Sequence, residues 1–258
     1  ADGEYHTITG NQMGVLLLDY IITARRRKGT LPENAAAIST IVTSKMVRRI
    51  CDVNDIHFDE TFTGFKFMAE KLAEYQRDGS YQYVLAFEES YGYMMGDYVR
   101  DKDAVTACVM ITEMAAYYFE QGMTLAQALD ALYEKYGFYG ERTLNLVMPG
   151  LDGLEKMRAL MAQLRREPLQ EIAGTKVVRM RDYQDGSVYV MGLGKMDKTS
   201  ISGSNVLYFE LDDGCSFIVR PSGTEPKIKV YILGVGATRA ECDERVQRYA
   251  QFAETLRG

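Results

Sequence analysis

The sequence predicts an α/β protein with two regions: a mixed, largely parallel α/β/α domain over residues 1–138 and a smaller α+β domain over residues 139–258. Two observations support this prediction. In the first region, helical patterns alternate with short apolar strands, which is typical of a parallel sheet with helices on both faces. In the second region, strands of alternating apolar residues follow one another across short turns, which is typical of an antiparallel meander.

The first predicted helix starts after Thr9 and ends near Gly29. The run Thr9-Gly10-Asn11-Gln12 has the pattern of a capping box, and apolar residues then recur at helical spacing. Residues 38–42 resemble a buried strand, and Ser44 is placed to cap a helix from Lys45. The region therefore opens with helix, strand and helix.

A further helix over residues 65–76 precedes an apolar strand over residues 81–87. A polar loop follows the strand, and two helices come after it. The predicted inner face of the first consists of Ala104, Cys108, Ile111, Ala115 and Tyr118, and that of the second of Leu125, Ala128, Leu129 and Leu132.

Apolar residues alternate in three stretches of the second region, at 207–211, 215–219 and 228–232, and Asp213-Gly214 predicts the turn between the first two. Helices over residues 151–166 and about 242–256 are predicted to cover one face of this meander. Residues 184–204 contain four glycines and little apolar periodicity. A long loop and an irregular hairpin both remain open for that stretch.

Composition limits the classes of function. The net charge of −6 argues against nucleic acid as a partner. No apolar run approaches the roughly 20 residues that span a bilayer, and the N-terminus has no signal-peptide pattern, so we expect a cytoplasmic protein without a membrane partner. The cysteines are widely spaced and mostly at core positions, which favours reduced thiols over disulfides or a metal cluster; they are Cys51, Cys108, Cys215 and Cys242.

The loop of residues 220–227, RPSGTEPK, combines groups that suit a phosphate. The Arg220 guanidinium can hold two phosphate oxygens, hydroxyl groups add hydrogen bonds, and Gly223 is expected to let the backbone turn its N–H groups toward an anion. Lys229 adds a cation on the next strand. A plain hairpin loop is the alternative, because Ser-Gly and Glu-Pro are ordinary turn dipeptides.

Polar residues also follow the strand over residues 81–87, where ligands bind in open α/β sheets. Side chains two apart in an extended chain share a side, so Glu88 and Ser90 are expected to face a cleft together while Glu89 points away. Thr63-Gly64 precedes a helix whose N–H groups could receive a phosphate or hydroxyl. Taken alone, the residues favour a solvated strand end and a simple helix start.

The chain as a whole resembles the C-terminal half of the α-D-phosphohexomutases, the phosphoglucomutase and phosphomannomutase family. The resemblance covers essentially the whole chain and is carried by five segments in the family's order: Thr9-Gly10-Asn11-Gln12, Thr63-Gly64-Phe65-Lys66, Glu88-Glu89-Ser90-Tyr91-Gly92, Arg100-Asp101-Lys102-Asp103 and residues 220–224. The Glu-Glu-Ser-Tyr form is similar to the phosphoglucomutase branch. Mutases for mannose or pentose phosphates remain alternatives.

The resemblance implies the third domain of a four-domain enzyme and the fourth, which is similar to the TATA-box-binding-protein fold. It implies that a phosphoserine exchanges its phosphoryl group with the sugar phosphate, with glucose 1,6-bisphosphate as intermediate and Mg²⁺ as cofactor. By the same resemblance the sugar would be bound by Thr63, Gly64, Glu88, Ser90 and Lys102, and the non-reacting phosphate by Arg220, Ser222, Gly223, Thr224 and Lys229.

The family's serine loop, of Ser-His-Asn-Pro type, and its metal loop, of Asp-x-Asp-x-Asp-Arg type, do not occur in this sequence. We therefore expect neither a catalytic residue nor a metal ligand here. Together with the start at Ala1 instead of methionine, this predicts a truncated form that needs the missing N-terminal domains and is inactive alone. The alternative is a noncatalytic sugar-phosphate-binding module.

Overall fold

The computed structural model describes residue 3 and residues 5–150, 152–223 and 225–257. The chain divides into two compact units, Ala1–Gly137 and Phe138–Gly258. In the described segments, no helix has the length and apolar character that crossing a membrane requires.

Unit 1 is a mixed α/β unit in which helices and strands alternate. Strand β1 pairs in parallel with both β2 and β3, and β4 pairs antiparallel with β3, so the sheet has the order β2-β1-β3-β4. The elements are α1 (Gly10–Arg27), β1 (Ala35–Thr40), α2 (Met46–Asn54), β2 (His57–Thr61), α3 (Phe65–Asp78), β3 (Gln82–Glu88), β4 (Gly92–Met94), α4 (Ala104–Glu120) and α5 (Leu125–Tyr136).

Helices cover both faces of this sheet. Ala86 of β3 belongs to the apolar cluster that α3 forms with the strands. The next residue, Phe87, lies against Gly14 of α1. Because neighbouring residues of a strand point to opposite faces, α1 and α3 lie on opposite sides of the sheet, which confirms the α/β/α prediction.

The capping box at the start of α1 is confirmed: Thr9 Oγ1 accepts the Gln12 N–H at 3.2 Å, and Gln12 Oε1 accepts the Thr9 N–H at 2.9 Å. Strand β1 begins at Ala35, three residues before the predicted start at residue 38. Helix α2 begins at Met46, whose backbone N–H donates to Ser44 Oγ at 3.3 Å. Strand β2 was not predicted. Its sequence, HFDET, has no apolar alternation because most of it is only half-buried at the sheet edge.

The predicted inner face of α4 is wrong. The buried residues of this helix are Ala107 and Met114, whereas Ala104 and Cys108 are exposed. The helix is apolar around most of its circumference, so periodicity did not distinguish its inner face from the others.

Unit 2 is built on an antiparallel sheet of order β5-β12-β11-β10-β7-β8-β9, with β6 paired to β7. Two helices pack on one face, over a core that includes Phe209, Phe217 and Val230. The elements are β5 (Phe138–Val147), α6 (Gly153–Arg166), β6 (Glu171–Ile172), β7 (Thr175–Asp182), β8 (Ser187–Val190), β9 (Gly194–Lys198), β10 (Leu207–Leu211), β11 (Ser216–Pro221), β12 (Lys227–Gly236) and α7 (Arg239–Glu254).

The predicted meander is confirmed as β10, β11 and β12, with a turn in which the Gly214 N–H donates to Leu211 O at 3.1 Å. For residues 184–204, a long loop and an irregular hairpin were both possible. The stretch contains the hairpin β8–β9, and all residues of β9 are exposed. Strands β5 and β7 were not predicted. Helix α6 was expected to begin at Leu151, and this residue lies outside the described residues.

Candidate functional site

A hydrogen bond joins two of the predicted sugar-binding segments at the carboxyl edge of the unit 1 sheet. Glu88 is the last residue of β3, and its Oε1 accepts the backbone N–H of Gly64, the residue that precedes α3. The parallel strands β1, β2 and β3 all end at this edge. The fold therefore brings together segments that are 24 residues apart in sequence.

The conformation of Gly64 explains why this position holds glycine. Its φ is +123°, which side-chain-bearing residues rarely adopt. This conformation starts α3 directly and points the Gly64 N–H at Glu88. A carboxylate at a helix N-terminus is stabilised by the helix dipole. One N–H group expected to receive a ligand is thus occupied by the protein's own carboxylate.

The segment after Glu88 is a tight hairpin, not an extended strand. Glu88 pairs with Gly92, and Glu89, Ser90 and Tyr91 form the turn between β3 and β4. Tyr91 has a φ of +63°, in the left-handed region that closes such three-residue turns. The argument that Glu88 and Ser90 share a side of an extended chain is therefore wrong. Ser90 is instead exposed at the tip of the turn, and Glu89 is half-buried.

The N-terminus of α1 supports this hairpin. A Cβ placed on Gly10 would lie 2.1 Å from the carbonyl oxygen of Glu89, so only glycine permits this approach. On the other side of the turn, the Tyr93 hydroxyl donates to Gly10 O at 3.1 Å. Sequence reasoning assigned Gly10 only to the helix start and missed this contact. The glycine directly after the N-cap was the available signal.

Lys102 lies beside the same segments. Its Nζ is 5.5 Å from the ring centroid of Phe65, the first residue of α3, and its Cδ is 3.6 Å from where a Cβ on Gly92 would be. Nζ also pairs with Asp101 Oδ1 at 3.2 Å, with 63% of the Lys102 side chain exposed. Of the predicted sugar-binding residues, Gly64 and Glu88 are thus in direct contact. Lys102 lies beside Gly92, which is the strand partner of Glu88. Thr63 precedes Gly64 in the chain.

The predicted phosphate loop of unit 2 joins β11 to β12. Arg220 and Lys229 are cross-strand partners. Their neighbours Val219 and Val230 point into the core, so Arg220 and Lys229 lie on the opposite face of the sheet. Within the loop, the Ser222 N–H donates to Lys227 O at 2.9 Å. Thr224 lies outside the described residues.

Three cations and one carboxylate line a cavity of about 270 Å³ at this loop. The cations are Arg220, Lys227 and Lys229, and the carboxylate is Glu225, which forms an ion pair with Lys227. The Arg220 Nη1 lies 3.5 Å from the Tyr231 hydroxyl, a contact at the limit of hydrogen bonding. The described lining therefore has a formal charge of +2, which suits an anion.

The conformation of Gly223 does not by itself explain why this position holds glycine. Its φ lies outside the left-handed region, and a Cβ placed on it would meet no atom within 4 Å. The fold itself therefore does not require glycine at this position. A need for glycine would arise only from a ligand that approaches the backbone closely.

No group of three or more His, Cys, Asp or Glu side chains among the described residues is arranged to hold a metal ion. Asp101 Oδ1 accepts a hydrogen bond from Lys102 Nζ at 3.2 Å. Asp103 caps α4 by accepting the Val105 N–H at 2.9 Å.

Comparison with known proteins gives a consistent family. Residues 9–136 match the model described as phosphoglucomutase/phosphomannomutase, alpha/beta/alpha domain III, and residues 144–251 match the model of the C-terminal domain. The phosphoglucomutase of Staphylococcus aureus (strain bovine RF122) is 36% identical over 233 residues, which cover 90% of this chain and 41% of that protein. The phosphoglucomutase of Staphylococcus saprophyticus is 33% identical over 234 residues, covering 89% and 41%.

The fold is also found in a solved structure. The open form of parafusin, a phosphoglucomutase from Paramecium, superimposes with a TM-score of 0.61 at 16% identity, over 98% of this chain and 42% of that one. The chain thus spans about two fifths of the length of these relatives.

Proposed function

Because the chain belongs to the phosphoglucomutase/phosphomannomutase family, we propose that it supplies the sugar-binding and phosphate-binding parts of an enzyme that interconverts glucose 1-phosphate and glucose 6-phosphate. Such an enzyme is an isomerase that works by phosphoryl transfer. Since the chain spans only 41% of the staphylococcal relatives, the remaining parts belong to other domains of the same polypeptide.

The contact between Glu88 and Gly64 is the observation that carries this proposal. It fixes one carboxylate oxygen and leaves the other, Oε2, to accept a hydroxyl of the sugar. Ser90, exposed at the hairpin tip, adds a hydroxyl that both donates and accepts. Thr63 and Lys102 complete the group. A carboxylate and a hydroxyl can bind neighbouring ring hydroxyls in either orientation of the sugar, as a reaction that turns its intermediate around requires.

The loop around Arg220 anchors the phosphate that is not reacting. Arg220 and Lys229 provide charge from two neighbouring strands, and Ser222 provides hydrogen bonds. Gly223 and Thr224 complete the loop. These groups position the substrate and balance its charge, which is how phosphoryl-transfer enzymes gain much of their rate.

The covalent step depends on groups outside this chain. The sequence contains no serine loop of the family type, and the described residues offer no ligand group for Mg²⁺. The chain is therefore proposed to be inactive by itself, with a hexose phosphate and the other domains as its partners and glucose 1,6-bisphosphate as the intermediate. A cytoplasmic location fits the buried, unpaired thiols Cys51, Cys215 and Cys242.

Calorimetric titration with glucose 1,6-bisphosphate tests the binding role. We expect binding by the wild-type chain, a loss of at least about tenfold in affinity for Arg220→Ala, and weaker binding of mannose 1-phosphate. Arg166→Ala, which removes a 70% exposed cation at the C-terminal end of α6, is the matched control.

Three results, from this titration and from a mutase assay, would contradict the proposal or a part of it in different ways. Equal binding by wild type and Arg220→Ala would show that the loop is not the phosphate anchor. Binding without mutase activity in a longer polypeptide that carries the other domains would favour the noncatalytic module. If mannose or pentose phosphates bind more tightly than the glucose compound, the preferred sugar is wrong while the mutase assignment stands.

A further inference from the structure

Helix α4 is apolar on almost every side. Its sequence, AVTACVMITEMAAYYFE, contains two charged residues, Glu113 and Glu120. Helices of this kind in proteins are usually covered all round. In unit 1, however, the buried residues are Ala107 and Met114, which lie on one side of the helix. The opposite side is exposed.

The exposed side forms a continuous band that we call the α4 stripe. At 100° per residue its members fall within an arc of about 100° opposite Ala107 and Met114, over about four turns. Val105, Val109 and Phe119 are 75%, 60% and 80% exposed. The stripe consists of Val105, Cys108, Val109, Thr112, Ala116 and Phe119, all exposed.

The two charges of α4 lie outside this band. Glu113 is about 80° around the helix from Val105 and accepts the Tyr20 hydroxyl at 2.7 Å, which ties it to α1. Glu120 lies on the same flank. The stripe is therefore uncharged along its centre, with a carboxylate along one edge. Single exposed apolar residues are normal on protein surfaces, but a contiguous apolar band is typical of an interface.

We propose that the α4 stripe is covered by another domain of the longer polypeptide to which this chain belongs. The staphylococcal relatives are more than twice as long as the region they share with this chain, and the region containing α4 matches a domain numbered III. The partner surface is apolar at its centre, with a cation or hydrogen-bond donor facing Glu120. This inference rests on the proposed function.

Cys108 provides a native probe of the covered surface. It is exposed, whereas Cys51, Cys215 and Cys242 are buried and burial raises their pKa to about 12, 11 and 12. In the 258-residue chain we expect one thiol to react rapidly with Ellman's reagent, and Cys108→Ser to abolish that reaction. In the longer polypeptide we expect Cys108 to react at least ~100-fold more slowly, because reaction then requires opening of the interface.

Each outcome decides the proposal. A rate in the longer polypeptide within a few fold of that in the 258-residue chain would overturn it. Protection of Cys108 in the 258-residue chain together with a dimer mass by light scattering would also overturn it, because a second copy would then cover the stripe. If the short chain does not fold, all of its thiols react, and the rate in the longer polypeptide is compared with its own rate in denaturant.

Substitutions give a second measurement. Val109→Glu and Phe119→Glu should leave the melting temperature of the 258-residue chain nearly unchanged, because both side chains are exposed there. In the longer polypeptide both should lower it, whereas Val53→Glu on α2, at a 49% exposed apolar residue outside the stripe, should not. Unchanged melting of both stripe variants in the longer polypeptide would contradict the interface.

The mutase assay separates this inference from the proposed function. An active longer polypeptide with reactive Cys108 would refute the interface alone. An inactive one with protected Cys108 would refute the function and leave the interface standing.

Discussion

Replacing Gly14 by alanine should destabilise unit 1, although helix propensity alone predicts the opposite. Gly14 lies in the interior of α1, where alanine is favoured over glycine by about 1 kcal/mol. A Cβ at this position, however, would lie 2.0 Å from Cε2 of Phe87, well inside a normal carbon–carbon contact of about 3.5–4.0 Å. Phe87 is 1% exposed and has little room to move.

The packing term should exceed the propensity term. Overfilling a well-packed core costs about 1–3 kcal/mol, and an approach of 2.0 Å to a ring with little room to move places Gly14→Ala in the upper part of that range, at about 2–3 kcal/mol. After the roughly 1 kcal/mol gained in helix propensity, the net effect is a loss of about 1–2 kcal/mol. Because Phe87 precedes Glu88 in β3, displacement of the ring should also weaken sugar-phosphate binding. Urea denaturation followed by far-UV circular dichroism measures the stability, and calorimetric titration measures the binding.

A double-mutant cycle with Phe87→Leu provides the control. Leucine lacks the ring atoms that a Cβ on Gly14 would meet, so Gly14→Ala should cost little in the Phe87→Leu background. We expect a coupling free energy of at least about 1 kcal/mol between the two positions. If Gly14→Ala stabilises the chain, or if the two effects simply add, the packing argument is wrong.

Three further predictions concern the two sites and the dependence of stability on pH. Gly223→Ala should leave the melting temperature unchanged, because its Cβ meets no atom, but should weaken binding of glucose 1,6-bisphosphate by calorimetry; unchanged binding would contradict a close backbone contact. Glu88→Gln keeps an acceptor for the Gly64 N–H but loses the charge, so urea denaturation should show a loss of about 1 kcal/mol; a stabilised variant would contradict the helix-dipole argument. Burial alone would raise the pKa of Asp59, but the hydrogen bond from Tyr75 and nearby cations hold it below its ordinary value, so stability from this group is present above about pH 4 and is lost as the pH falls through the folded pKa. Tyr75→Phe should make the urea midpoint less dependent on pH below about pH 4, and an unchanged dependence would refute this assignment.

Much of the fold follows from local patterns in the sequence. The capping box identified the start of α1. Apolar residues at every second position identified the meander β10 to β12, because these residues share the face that packs on the core of unit 2. Strand β2 was missed because an edge strand buries too little apolar surface to show a pattern. Helix α4 was assigned correctly as a helix but with the wrong inner face, because its apolar residues surround it.

The candidate site was less accessible to sequence reasoning for a different physical reason. The residue types at Glu88 and Gly64 suggested a ligand, yet their hydrogen bond depends on where β3 and α3 end in space. Likewise, the role of Gly10 depends on a backbone approach to Glu89 across the unit. Such contacts are properties of tertiary packing, and no local periodicity encodes them.

These contacts order the hairpin loop that we propose binds the sugar. The Glu88 carboxylate accepts the Gly64 N–H at the N-terminus of α3, and the turn after Glu88 packs against Gly10. The Tyr93 hydroxyl donates to the carbonyl oxygen of Gly10. Each of these contacts is made by the protein itself, before any ligand binds. Less ordering is then needed on binding, so more of the interaction energy is available for positioning the substrate. A flexible loop with the same residues would have the same chemistry but would bind less tightly.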